Sequence, residues 1–302
     1  MLLVARSRLP DHAGGRAVGG GAADEARRAQ GVGDRSEAIP LTTFQREIAR
    51  LLARNRTPDS YLAGGAALHI EPRSTRYSND LDYFHDSEER VAAAFAEDRV
   101  LLEEAGCTIE VQLNQPGHIR AVVSRGSEAT KIEWAHDSAW RFLPPVKSRV
   151  AGYQLHPVDL AVNKLLALVG RDEPRDFLDV LELHRKTLSL GALCWAAAGK
   201  DPGFTPSTLL ELLKRRGRIR EEDLDRLHLR RRPQLTALKS QWLEALAEAE
   251  TFIAERPPDE VGCLYWSPSA QRFVDRLDDT DGVVPHFGRP GGVLPRMMEV
   301  EG

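Results

Sequence analysis

The chain has 302 residues, 42% of them hydrophobic, and a formal net charge of −4. That is apolar material for one large domain or two ordinary ones, and the slightly acidic balance excludes a globally basic nucleic-acid binder, so any RNA or DNA contact has to come from local basic patches. Cys107, Cys194 and Cys263 lie far apart, which excludes a disulfide framework and any C-x-x-C metal site and suits a reducing cytosol.

Residues 1–39 are rich in Gly, Ala and Arg. They offer little to bury and are expected to form a disordered leader. The opening MLLVARSRLP lacks the apolar core of a secretory signal, and no apolar run in the chain approaches the ~20 residues of a membrane span. A cytoplasmic protein without a membrane partner is therefore expected. Order should begin at Ile39-Pro40-Leu41. Thr42 with Gln45 forms a capping-box pattern, and Phe44, Ile48, Leu51 and Leu52 follow at helical spacing.

The stretch Tyr61 to Phe84 then carries two linked features. Gly64-Gly65 follows a short apolar run and opens a small-residue segment that can start a helix. Such a turn lets backbone N–H groups approach a polyphosphate, and the helix N-terminus adds its dipole. Further on come Asp80, Leu81 and Asp82. Residues two apart on a strand share a face, so Asp80 and Asp82 set two carboxylates side by side. Two such carboxylates repel unless a cation lies between them. A hard divalent ion prefers these oxygen ligands. Taken singly, a D-x-D pair is also an ordinary strand end and a Gly-Gly an ordinary turn.

Asp86 and Glu89 read as the cap of a helix through Val91, Phe95, Leu101 and Leu102 that stops at Gly106. Three alternating, β-branched segments follow, Thr108 to Leu113, His118 to Ser124 and Thr130 to Ala135, with a turn over residues 114–117. In the third, Lys131 and Glu133 share one face, which suits either a third site carboxylate or a surface ion pair. After Pro144-Pro145 the period changes to 3.6. Pro157 suits a first helical turn. Lys164 sits in an apolar run and either snorkels to solvent or serves as a charge partner for a polyphosphate. Asp176 and Asp179 share a helix face at i,i+3. Residues 188–256 read as helical, with basic clusters at 214–218 and 230–232 that are either solvated helix ends or phosphate contacts. Residues 257–302 read as a loosely packed tail or an edge strand.

The joint pattern G-G-(x)14-D-L-D, with Arg76-Tyr77-Ser78-Asn79 before the first aspartate, resembles the signature of the DNA polymerase β-like nucleotidyltransferase superfamily. Its R-x-S-x-D-L-D form, with the K…R-D-x-x-D element at Lys164, Arg175, Asp176 and Asp179, resembles the AbiEii/AbiGii toxin family. That resemblance implies an α+β fold, a polymerase β-like nucleotidyltransferase domain with a small mixed sheet over residues 40–155, followed by an α-helical domain over 156–256 and a C-terminal tail. It implies transfer of a nucleotide from an NTP to an acceptor, such as a tRNA, by the toxin of a toxin–antitoxin or phage-defence pair. A DNA-binding antitoxin encoded nearby would be its partner. Asp80, Asp82 and Glu133 would hold Mg2+ or Mn2+, and Gly64, Gly65, Arg76, Ser78 and Lys164 would contact the nucleotide. Asp176 or Asp179 would orient Lys164, touch nucleotide or acceptor, or take the acceptor proton. The sequence departs from the superfamily in having Gly-Gly-Ala where many members have Gly-Ser. A non-catalytic relative using the same fold as a binding or regulatory module is the alternative reading.

Overall fold

The computed structural model describes residues 41–70, 76–78, 80–227, 229–275 and 282–295. The expected leader and Asn79 of the R-Y-S-N-D-L-D stretch lie outside them. Helix α1 (Thr43–Leu52) opens with the capping box expected from sequence, since Thr42 Oγ1 accepts from Gln45 N and Gln45 Oε1 accepts from Thr42 N. Strand β1 (Ser60–Ala63) runs into the short helix α2 (Gly64–Leu68), and β2 (Asp80–His85) carries the D-L-D element. The helix after it, α3 (Glu88–Glu104), is capped by Ser87, whose side chain accepts from Arg90 N, and not by Asp86. Asp86 is instead held by Arg141.

Three longer strands follow, β3 (Thr108–Gln115), β4 (His118–Arg125) and β5 (Glu128–His136). The turn between β3 and β4 is tighter than the spacing suggests. Only Pro116 and Gly117 form it, with Gly117 at a φ of 72°, a conformation that glycine adopts without strain. Three short strands, β6 (Trp140–Arg141), β7 (Val146–Ser148) and β8 (Gly152–Gln154), precede the helices. At two or three residues they are too short to show a period, which is why the sequence reads as helical directly after the prolines.

Seven strands make one mixed sheet in the order β3-β4-β5-β2-β1-β8-β7. β2 is antiparallel to β1 and parallel to β5, and β5 is antiparallel to β4. One face is covered by α1 and α3. There Leu81, Tyr83, Ala121, Val123, Ile132 and Trp134 are all fully buried. Their outward neighbours along each strand, among them Asp82, Arg120, Lys131 and Glu133, form the opposite face. Alternation along the strands thus delivers the polar residues to a single side.

Six further helices form the second core: α4 (Pro157–Arg171), α5 (Pro174–Lys186), α6 (Leu190–Lys200), α7 (Pro206–Arg215), α8 (Glu221–Arg226) and α9 (Leu235–Glu255). Helix α6 is apolar all round and buried at nearly every position, as the central helix of a bundle has to be. Helix α4 links the two cores, since Leu160 packs with the sheet while Val158, Ala161 and Leu165 pack with the helices. The segment read as a tail or edge strand is neither of those over Cys263–Ser267. That stretch is β9, the middle strand between β10 (Arg272–Val274) and β11 (Val284–Phe287), and it packs on α6 with Cys263, Leu264 and Tyr265 in the helical core. The last strand, β12 (Arg289–Pro290), pairs with β6.

Candidate active site

The site is built on the β1–α2 turn. Gly64 has a φ of +60°, and a Cβ there would collide with the Asp82 carboxylate. Glycine alone satisfies both demands. A Cβ on Gly65 would lie 3.1 Å from Ser78 Oγ. Antiparallel pairing sets Ala63 opposite Asp82, so the turn closes directly over the carboxylates. Ser78 Oγ donates to the Asp80 main-chain oxygen at 3.1 Å and reaches Asp80 Oδ1 at 3.4 Å.

The parallel register of β2 and β5 pairs Asp80 with Lys131 and Asp82 with Glu133. Oxygens of Asp80, Asp82 and Glu133 accordingly lie within 4.8 Å of one another. Lys131 Nζ sits among them, 3.2 Å from Asp80 Oδ2 and 2.9 Å from Glu133 Oε1. Glu133 also accepts from Arg120 Nε at 2.9 Å and meets His118 Nε2 at 3.1 Å. Burial raises the Glu133 carboxyl, but the His118, Lys131 and Arg120 contacts outweigh it and hold the group well below the usual carboxylate range. Asp82 goes the other way. Burial, then the charges of Asp80 and Glu133, push it up to about 7. A second cation beside Asp82 would remove that penalty.

Behind the carboxylates runs a buried ionic network. Lys164, on the face of α4 toward the site, donates to Asp176 Oδ1 at 3.1 Å and lies 2.9 Å from Asp179 Oδ2. Asp176 takes two more bonds from Arg171, through Nε at 2.6 Å and Nη2 at 3.0 Å. Asp179 takes two from Arg76, through Nε at 2.8 Å and Nη2 at 2.6 Å, and meets His69 Nε2 at 3.0 Å. Burial opposes ionisation of both aspartates. Arg171 and Lys164 overcome it at Asp176, and Lys164, Arg76 and His69 overcome it by a wide margin at Asp179.

These residues meet at a cavity of about 270 Å3. Gly64, Gly65, Arg76, Ser78, Asp80, Asp82, Glu133 and Lys164 all line it. Asp176 and Asp179 do not line it; they stand one layer behind, holding Lys164, Arg76 and Arg171. The walls also include His118, Arg171 and Arg175, which sequence reasoning did not assign to the site. The signals for them were present. His118 and Arg120 are two apart on a strand, as are Lys131 and Glu133, and Arg171 lies two helical turns after Lys164. What was missing was the strand order that sets β5 beside β2 and β4 on the far side of β5. The chemistry available here is charge management around a polyanion, with three carboxylates for a hard cation and a set of cations around them.

The sequence profile of the family described as "Nucleotidyl transferase AbiEii toxin, Type IV TA system" matches residues 49–260. Among solved structures, MenT4, a nucleotidyltransferase toxin from Mycobacterium tuberculosis H37Rv, is 17% identical, with 72% of this chain and 83% of that chain covered and a TM-score of 0.46. JHP933 from Helicobacter pylori is 15% identical, with 70% and 92% covered and a TM-score of 0.43. No curated protein sequence is similar to the chain. The family match spans most of the sheet domain and the helices behind the site, and it includes every residue of the cavity described above: the chain belongs to the AbiEii nucleotidyltransferase toxins of type IV toxin–antitoxin systems.

Proposed function

We propose that this enzyme transfers a nucleotidyl group from an NTP to a hydroxyl of an RNA acceptor, such as the end of a tRNA, with Mg2+ or Mn2+ as cofactor. It acts in the cytoplasm as a growth-inhibiting toxin or phage-defence effector, opposed by an antitoxin that a neighbouring gene would encode as a DNA-binding protein. The observation that carries this reading is the convergence of Asp80, Asp82 and Glu133 under a glycine turn, with an ammonium already drawn between two of them. That stand-in cation and the raised Asp82 carboxyl fit a divalent ion.

Asp80 and Asp82, with Glu133, would hold the ion, which would supply neutralisation of phosphate charge and orientation of the reacting groups. The turn at Gly64 and Gly65 brings backbone N–H groups to the phosphates, and Ser78 braces Asp80. Lys164 presents positive charge to the cavity, and Asp176 and Asp179 fix its position. Both are ion-paired and strongly acidic, which makes them positioning groups and poor proton acceptors. In the reaction the acceptor oxygen bonds to the α-phosphorus, the bond from that phosphorus to the β-phosphate bridging oxygen breaks, and pyrophosphate leaves with the electron pair. The hydroxyl proton is released to solvent. The protein's contribution is positioning and electrostatic stabilisation.

Expression in a bacterial host is expected to arrest growth, and Asp80→Ala is expected to abolish the arrest. Purified protein incubated with total RNA and each labelled NTP should label RNA in a metal-dependent way. Normal growth together with no labelling by any of the four NTPs would leave the non-catalytic binding module as the better reading.

A further inference from the structure

Most cations of the cavity are already committed. Lys164 is shared by Asp176 and Asp179. Arg76 spends Nε and Nη2 on Asp179, and Arg171 spends Nε and Nη2 on Asp176. Lys131 bridges Asp80 and Glu133. Arg175 is different. It stands on the first turn of α5 with its side chain 34% exposed, and its closest carboxylate oxygen, Asp80 Oδ2, is 3.9 Å from Nη1. That is outside hydrogen-bond reach. Its Nε is buried and has no hydrogen-bond partner among the described residues.

We propose that Arg175 is the guanidinium that binds the β- and γ-phosphates of the incoming nucleotide. The proposal rests on the nucleotidyltransferase reading of the same cavity. An unmet buried N–H of a charged group carries an uncompensated desolvation penalty, so the side chain is held in a state that an anion relieves. The planar fork matches phosphate oxygens two at a time. Three carboxylates in one small cavity repel a triphosphate, and the committed cations are largely cancelled by their own aspartates. Arg175 supplies charge that no carboxylate satisfies by hydrogen bonding. Arg76, by contrast, is anchored by Asp179 and supports the wall.

The test is calorimetric titration of the full-length protein in Mg2+ with inorganic tripolyphosphate, each of the four NTPs and the matching NMPs. Arg175→Ala is expected to weaken tripolyphosphate and NTP binding roughly 10- to 100-fold, the scale of a lost charge-assisted hydrogen bond. NMP binding should be unchanged, and Arg175→Lys should recover part of the loss. Thermal melting should stay within roughly 2 °C of wild type, because no described partner is orphaned. If Arg175→Ala binds tripolyphosphate and NTP as wild type does, the assignment of Arg175 is wrong while the nucleotide site stands. If wild-type protein binds neither, the nucleotidyltransferase reading and this proposal fall together.

Discussion

Lys131 is the residue on which the resting state of the site turns. Its side chain is 35% exposed, and its ammonium lies between Asp80 and Glu133, where a divalent ion would find its oxygen ligands. The two cations therefore compete for the same carboxylates. Lys131→Met, which keeps the chain length and removes the charge, is expected to tighten Mn2+ binding roughly fivefold, the size of a partly exposed ion pair worth about 1 kcal/mol. An electron paramagnetic resonance titration of free Mn2+ reads this directly. Unchanged or weaker binding in the variant would show that the lysine supports the ion. Sequence reasoning already set Lys131 and Glu133 on one face. It could not choose between a surface pair and a site carboxylate, because that depends on which strand lies next to β5.

At the scale of elements, α4 matters most, because it carries Lys164 into the cavity. Its N-cap is His156, whose Nδ1 accepts from Val158 N at 3.2 Å. Only an unprotonated nitrogen can accept, and burial lowers the His156 pKa to about 4. His85, fully buried on β2, is lowered to about 3 by burial and then by the charges of Arg56 and Arg90. Both rings are neutral in the folded state and titrate near 6.5 when unfolded. Below about pH 6.5 the unfolded chain binds more protons. Stability is thus fully present above that pH and falls as pH drops toward about 4, by up to about 1.4 kcal/mol per unit per group. Urea midpoints measured between pH 7 and 5 should show the decline. His156→Asn keeps an acceptor for the cap without a titrating ring and should make the decline shallower, leaving the part due to His85. An identical slope in the variant would remove His156 as a cause.

At the scale of the whole molecule, residues beyond the last long helix complete the helical core. Leu264 on β9 is 2% exposed and joins the cluster around α6. Gly199 on α6 and Gly262 before β9 come so close that a Cβ on either would strike the other's backbone. Leu264→Ala is therefore expected to cost about 2–5 kcal/mol by the cavity it leaves, visible as a lower midpoint in a urea melt. A loss under about 0.5 kcal/mol, typical of a surface change, would mean that β9 is only loosely attached. The composition of 257–302, rich in Gly and Pro, gives no hint of this, since burial of a five-residue strand depends on what it packs against.

The sequence by itself determined the local grammar of this enzyme. It contained the capping box at Thr42 and Gln45, the glycine pair that turns the chain into a short helix, the alternation that sets Asp80 and Asp82 on one face, and the proline opening α4. These depend on spacing and on backbone sterics within a few residues, so they can be read from the chain. The tertiary structure decided everything that depends on which elements become neighbours. Parallel register of β2 with β5 brought Glu133 to Asp82 and Lys131 to Asp80. Packing of α5 against α4 placed Asp176 and Asp179 behind Lys164 and left Arg175 facing the cavity. Pairing across long sequence separations sets those distances, and the strength of an ionic contact depends on distance and burial together.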